Sequence, residues 1–220
     1  MLFNFFFLIS NFLILFVLIK FQNKYKFLLD NSYKSFHKTH KGSVPLSGGH
    51  LIMINIVILY LFIDPNLNIF VFYASIFFYL IGVLSDVYEK FEPSLRLILQ
   101  SILIFLFIYL NKSILSNLDI EFINFFIQNH IVNSLFLSFC TIVLINGLNL
   151  LDGKNGLVSI NLLIIIFILF LINQKNNNFD TTYVFLIIII LVFLIFNLFG
   201  KCFLGDSGVY VFGFLITYLV

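Results

Sequence analysis

Long apolar runs alternate with short polar stretches along the whole chain. Eight runs read as membrane-crossing helices: residues 2–19, 47–63, 69–84, 96–110, 131–148, 157–173, 183–199 and 208–220. A bilayer core takes about 20 apolar residues per helix, range about 17–25, so several runs stand at the short limit. Polar turns separate them at Asp64-Pro65-Asn66, at 111–129 and at 173–182. The stretch 118–127 mixes apolar and acidic residues and reads as a helix lying on the membrane surface. The pattern predicts an all-α fold, a polytopic integral membrane bundle of about eight transmembrane helices in a single domain over residues 1–220.

Polar positions also predict orientation. No basic residue precedes the first run and no small-residue cleavage site follows it, so it reads as a retained helix and not a signal peptide. Its basic flank comes after it, at Lys20, Lys24, Lys26, Lys34, Lys38 and Lys41. The positive-inside rule then places the N-terminus outside and this loop in the cytoplasm. Alternating the spans gives a check. Adding Lys90, Arg96, Lys154 and Lys201 puts ten of the twelve Lys and Arg inside, against Lys112 and Lys175 outside.

Composition narrows the class further. The chain is 61% hydrophobic and 10% charged, more apolar than a soluble domain of 220 residues needs. It has 32 Phe and no Trp, which leaves Tyr to serve at the membrane interfaces. The net charge of +2 comes from Lys residues that flank helices, so nucleic-acid binding is not expected. Cys140 and Cys202 are far apart and read as free thiols.

Four polar islands carry the candidate chemistry, and all four fall on the predicted cytoplasmic side. The first runs from Lys38 through His40, Pro45, Gly48 and Gly49. Its lysines and His40 suit phosphate charge, or simply flank a helix start. The second runs from Gly82 to Gln100 and holds Ser85, Asp86 and Arg96. A carboxylate just past an apolar span is costly to bury without a partner or ion. Alone, Asp86 also reads as a solvated loop residue and Arg96 as an interface anchor. The third is Asn146-Gly147-Leu148-Asn149-Leu150-Leu151-Asp152-Gly153-Lys154-Asn155-Gly156. Helical spacing puts Asn146, Asn149 and Asp152 on neighbouring positions of one face before the glycines break the helix. Asn amides both donate and accept, which suits a nucleobase or ribose. A turn accounts for the Asp-Gly and Asn-Gly pairs, but not for asparagines at the end of an apolar helix. The fourth is Lys201 to Gly208. There Asp206 stands between glycines, ready for a ligand or cation or as a cap for the next helix. Mg²⁺ takes one or two carboxylates plus substrate phosphates, and Asp206 with Asp86 supplies such a pair.

Together the islands resemble the polyprenyl-phosphate N-acetylhexosamine-1-phosphate transferases. The family's Lys-x-His stretch leading to Pro-x-x-Gly-Gly is matched by Lys38, His40, Pro45, Gly48 and Gly49. Its Gly-x-x-Asp-Asp loop and Arg-Leu-x-x-Gln are matched by Gly82, Asp86, Arg96, Leu97 and Gln100. Its Asn-x-x-Asn-x-x-Asp-Gly-x-Asp-Gly-Leu is matched by Asn146, Asn149, Asp152, Gly153, Gly156 and Leu157. Its Phe-Leu-Gly-Asp-x-Gly is matched by Phe203 to Asp206 and Gly208. Two departures stand out. Ser85 replaces the first Asp of the pair, and Asn155 replaces the second Asp of the third motif, as in exopolysaccharide-type and lipopolysaccharide-type members.

The resemblance implies transfer of an N-acetylated sugar 1-phosphate from a UDP-sugar to undecaprenyl phosphate, with release of UMP. It implies Mg²⁺ at Asp206 and Asp86, with Ser85 beside them in the catalytic loop. It implies substrate binding by Lys38, His40, Asn146, Asn149, Asp152 and Asn155. The implied partners are a UDP-N-acetylhexosamine-type substrate, a polyprenyl phosphate, membrane lipid and, for the chain itself, a possible homodimer. The implied location is the inner membrane of a bacterium with a cytoplasmic active site. Members also carry a later His-rich loop and further helices, so the 220 residues read as the N-terminal two-thirds of such an enzyme. A hydroxyl at position 85 cannot act as a carboxylate, which keeps a catalytically inactive, truncated member open as an alternative. A transporter is the other alternative, although no ionisable residue stands near the middle of a predicted span.

Overall fold

A computed structural model describes residues 2–31, 42–63, 68–88, 90–111, 124, 128–175 and 181–219. The helices are α1 (Leu2–Tyr25), α2 (Gly48–Ile58), α3 (Ile69–Val87), α4 (Pro93–Asn111), α5 (His130–Leu151), α6 (Leu157–Lys175), α7 (Thr181–Leu198) and α8 (Gly205–Leu219). Among the described residues the bundle is all-α but for two three-residue strands, β1 (Leu29–Asn31) and β2 (Ser43–Pro45), which pair antiparallel. Each predicted apolar run contains one helix. Hydrocarbon offers the backbone no hydrogen bonds, so these runs have to satisfy their peptides internally. Polar residues set the ends: the Asn68 side chain accepts from Phe70 N–H at 2.9 Å, and Asn129 caps α5 through Ile131 N–H at 2.9 Å.

The all-α polytopic bundle is as expected. Among the described residues six helices are long and apolar enough to cross a membrane, and the runs at 47–63 and 208–220 form shorter helices. The run after Gly48 is an α-helix only to Ile58 and continues as one π-helical stretch, Leu59–Ile63. α8 has 15 residues and is wrapped by its neighbours, with every residue from Ser207 to Ile216 buried. Helix α1 runs past its predicted end at 19 to Tyr25, because Lys and Gln are good helix formers and long basic chains lie back along apolar surface. Lys20 Nζ, for instance, sits 4.4 Å from the centre of the Phe16 ring. The proposed surface helix at 118–127 and the turn at Asp64-Pro65-Asn66 lie outside the described residues, apart from Asn124.

α8 is the hub. Phe214 stacks on Phe78 of α3 at 5.0 Å and meets Phe107 of α4 edge-on at 4.8 Å. The outward faces of α1, α3 and α5 carry exposed Phe and Leu, while Asn11, Asn55, Ser75 and Ser138 are buried. That inversion suits a lipid surround, where interior polar groups must find partners. Asn55 donates to Asn11 Oδ1 at 2.6 Å, and Ser75 and Ser138 donate to carbonyls four residues earlier in their own helices.

Chain direction brings the C-terminal ends of α3, α5 and α7 to the same end of the bundle as the N-terminal ends of α2, α4, α6 and α8. Residues 45–49 run beside 203–204. Phe203 N–H donates to Pro45 O at 2.9 Å, Gly48 N–H to Phe203 O at 3.0 Å and Gly49 N–H to Leu204 O at 2.9 Å. Glycine permits this approach: a Cβ on Gly82 of α3 would lie 2.2 Å from Ser207 Cα.

Candidate active site

The first turn of α8 is where the chemistry collects. A helix N-terminus leaves its first backbone N–H groups without intrahelical partners and carries a partial positive charge. Two carboxylates from other elements take them up. Asp86, near the end of α3, accepts from Asp206 N–H at 2.8 Å and from Ser207 N–H at 3.1 Å. Asp152, the residue after α5, accepts from Leu204 N–H at 3.2 Å and from Gly205 N–H at 2.8 Å. Four consecutive N–H groups, 204–207, therefore end on two side chains. Gly205 has φ +74°, and a Cβ there would lie 2.9 Å from Asp86 Oδ2, so both the turn and the carboxylate beside it require glycine.

Asp206 is the third carboxylate. Its Oδ2 accepts from Arg96 Nη1 at 2.7 Å, from the Tyr210 hydroxyl at 3.1 Å and from the Ser85 hydroxyl. Arg96 Nη1 also donates to Ser85 Oγ at 2.5 Å. Residues from α3, α4 and α8 thus converge on one oxygen. The Arg96 and Asp206 side chains are 24% and 17% exposed, so solutes reach a pair that is mostly desolvated.

The loop before Asp206 is held from behind. α7 ends on Gly200 at φ +62°, with Gly200 N–H bonded to Asn197 O at 2.9 Å and Lys201 N–H to Phe196 O at 3.0 Å, a Schellman ending. The buried Asn197 amide accepts from Gly156 N–H and Ser159 Oγ and donates to Cys202 O, each at 2.9 Å. Asn197→Ala is expected to cost about 2–3 kcal/mol, because buried groups lose their partners. A detergent melt unchanged from the parent chain would show that this staple carries no stability.

Burial pushes the Asp152 carboxyl up to about 6, against the pull of the Gly205 and Leu204 N–H groups. Burial, and then the Asp152 charge, push the Cys202 thiol up, which makes it a poor nucleophile near neutrality. Both cysteines are free, as expected.

Of the residues picked out from sequence, Ser85, Asp86, Asp152 and Asp206 come together. Asn146 is exposed and donates to Ile142 O of its own helix at 2.9 Å, while Asn149 is half-buried. Asp152 leaves the face they share because the helix ends at Leu151 and the chain turns extended at ψ 153°. Asn155 is exposed beside Gly200, where a Cβ would lie 3.1 Å from its Nδ2. Lys38 and His40 lie outside the described residues. Sequence reasoning gave no role to Tyr210 or Asn197 and left Arg96 as an anchor. Tyr210 had a readable signal, since it stands four residues after Asp206 on the same helix face.

A family model described as Glycosyl transferase family 4 matches residues 68–220, a stretch that holds every member of this cluster. No curated protein matches the chain.

Proposed function

The chain belongs to glycosyl transferase family 4, and from that premise we propose that it moves an N-acetylated sugar 1-phosphate from a UDP-sugar to undecaprenyl phosphate. One observation carries the reading: Asp206, Arg96 and Ser85 meet at the N-terminus of a buried helix, at the end of the bundle where Asp86 and Asp152 also converge. In the proposed reaction an oxygen of the lipid phosphate attacks the sugar-bound phosphorus. The bond from that phosphorus to the bridging oxygen breaks, and UMP leaves with the electron pair. Two anions must approach, so neutralisation and positioning supply most of the rate.

Among the described residues no three His, Cys, Asp or Glu side chains converge closely enough to hold a metal by themselves. Mg²⁺ needs less, since it keeps waters and is bound through one or two carboxylates plus substrate phosphates. The donor set fits that demand. The described partners of Asp206 all sit on Oδ2, and Asp86 lies against the same turn. Asp206 would hold Mg²⁺ with Asp86 behind it, and the ion when bound would neutralise the diphosphate. Asp152 and Asp86 fix the 204–207 backbone that carries Asp206. Asn146, Asn149 and Asn155 are proposed to line the nucleotide pocket, and Lys38 and His40 to face phosphate. The Lys and Arg distribution supports a cytoplasmic site, and the proposed undecaprenyl phosphate acceptor implies a bacterial inner membrane.

Ser85 favours a second reading, a silent member that binds nucleotide without turnover. The test supplies membranes bearing the chain with UDP-N-acetylhexosamines, undecaprenyl phosphate and Mg²⁺. UMP and a sugar-diphospholipid are the expected products. Nucleotide binding with no UMP from any of these sugars would replace the transferase reading with the silent one. Solute flux across vesicles without UMP would favour a transporter.

A further inference from the structure

We propose that Arg96 is a displaceable counter-ion: it neutralises Asp206 in the unliganded site and moves to a substrate phosphate oxygen when a divalent cation takes Asp206. The inference rests on the metal role given to Asp206 above. It follows from how the charges of the cluster are held. Asp86 and Asp152 are tied to backbone N–H groups, so neither is free to serve Arg96 or Asp206. Residue 85 is a hydroxyl and not another carboxylate, so among the described residues Arg96 has a single negative partner to leave. The Ser85 and Tyr210 hydroxyls also donate to Oδ2. They can keep that oxygen satisfied and the carboxylate in place once the guanidinium departs.

The energetics then couple two ligands. A cation arriving alone shares the Asp206 charge with Arg96, so two positive groups are left on one carboxylate in a mostly desolvated place, which is costly. A phosphate arriving alone strands Asp206. Arriving together, they leave every charge paired, and the planar guanidinium suits phosphate oxygens. Cation and phosphate should therefore tighten each other's binding, by the same factor in both directions.

The test uses the full chain in nanodiscs, with free Mn²⁺ read by electron paramagnetic resonance. Inorganic phosphate is the first probe, and Mn²⁺–phosphate pairing measured without protein is subtracted. For the parent chain, phosphate is expected to tighten Mn²⁺ binding by about fivefold or more, in the usual range for coupled sites. Arg96→Gln is expected to bind Mn²⁺ more tightly without phosphate, because a repelling cation is gone, and to lose the phosphate effect. Asp206-dependent Mn²⁺ binding that ignores phosphate, or an Arg96→Gln chain that keeps the full effect, would overturn the coupling. Mn²⁺ binding that survives Asp206→Asn would instead overturn the metal role, and the coupling with it. Should Arg96→Gln fail to fold, Arg96→Lys decides: a smaller factor supports the exchange, and an unchanged factor rules out the guanidinium fork. Repeating the titration with UDP, and with polyprenyl phosphate in the nanodisc, assigns the phosphate. The source with the larger Arg96-dependent factor is the one that Arg96 meets.

Discussion

Asp206→Asn is expected to lower Mg²⁺-dependent UMP release from membranes by at least about a hundredfold, the scale of losing one well-placed electrostatic group in a desolvated site. The substitution keeps size and planarity but removes the charge. Oδ2 now takes three donors, from Arg96, Tyr210 and Ser85. A neutral amide offers them a single weaker acceptor, and its NH₂ group can only donate. Arg96 would be left without its counter-charge, so the cation site and the local charge balance would fail together. The measurement is UMP formed against Mg²⁺ concentration, with the folded state checked by circular dichroism. Full activity in Asp206→Asn would take the metal role away from this residue.

The second large effect concerns packing. Gly82→Ala places a Cβ 2.2 Å from Ser207 Cα and 2.5 Å from Ser207 N. The obstruction is backbone, so no rotamer relieves it, and α3 must move away from α8. The expected loss is about 3 kcal/mol, at the upper end of ordinary overpacking. The shift would also pull Asp86 off the N–H groups of Asp206 and Ser207. Gly147→Ala is the matching control. Nothing lies within 4 Å of a Cβ there, and the helix should gain about 0.5–1 kcal/mol. Thermal melting in detergent of both variants beside the parent chain makes the comparison. Equal melting of Gly82→Ala and the parent would mean that α3 and α8 are not pressed together as described.

These residues also show what could be read before the structure. Apolar runs bounded by Asn, Gly and Pro gave the helices, because a run with no polar outlet has to close its own hydrogen bonds. Ser85, Asp86, Asp152 and Asp206 were found because each sits at the edge of an apolar run, where a polar group needs a reason. The direction of Asp152 was not readable. Periodicity puts it in line with Asn146 and Asn149, but the helix stops one residue too soon. Asn197 escaped because it looks like an ordinary helix end, and its three partners lie in segments far apart along the chain. Arg96 carried an ambiguous signal, since a basic residue at a helix start serves an interface equally well. Its pairing across 110 positions with Asp206 depends on how α4 and α8 are brought together, which no local pattern encodes.

The backbone stitching between residues 45–49 and 203–204 has a further consequence. The family match begins at residue 68, yet Pro45, Gly48 and Gly49 exchange main-chain hydrogen bonds with the two residues that lead into α8. The edge of the family match is therefore not a seam in the protein. Space as well as bonding fixes the join: a Cβ on Gly48 would lie 2.8 Å from Leu204 Cα, and one on Gly49 2.5 Å from Gly208 N. A minimal domain cut at residue 68 would therefore lose backbone partners of the turn that carries Asp206.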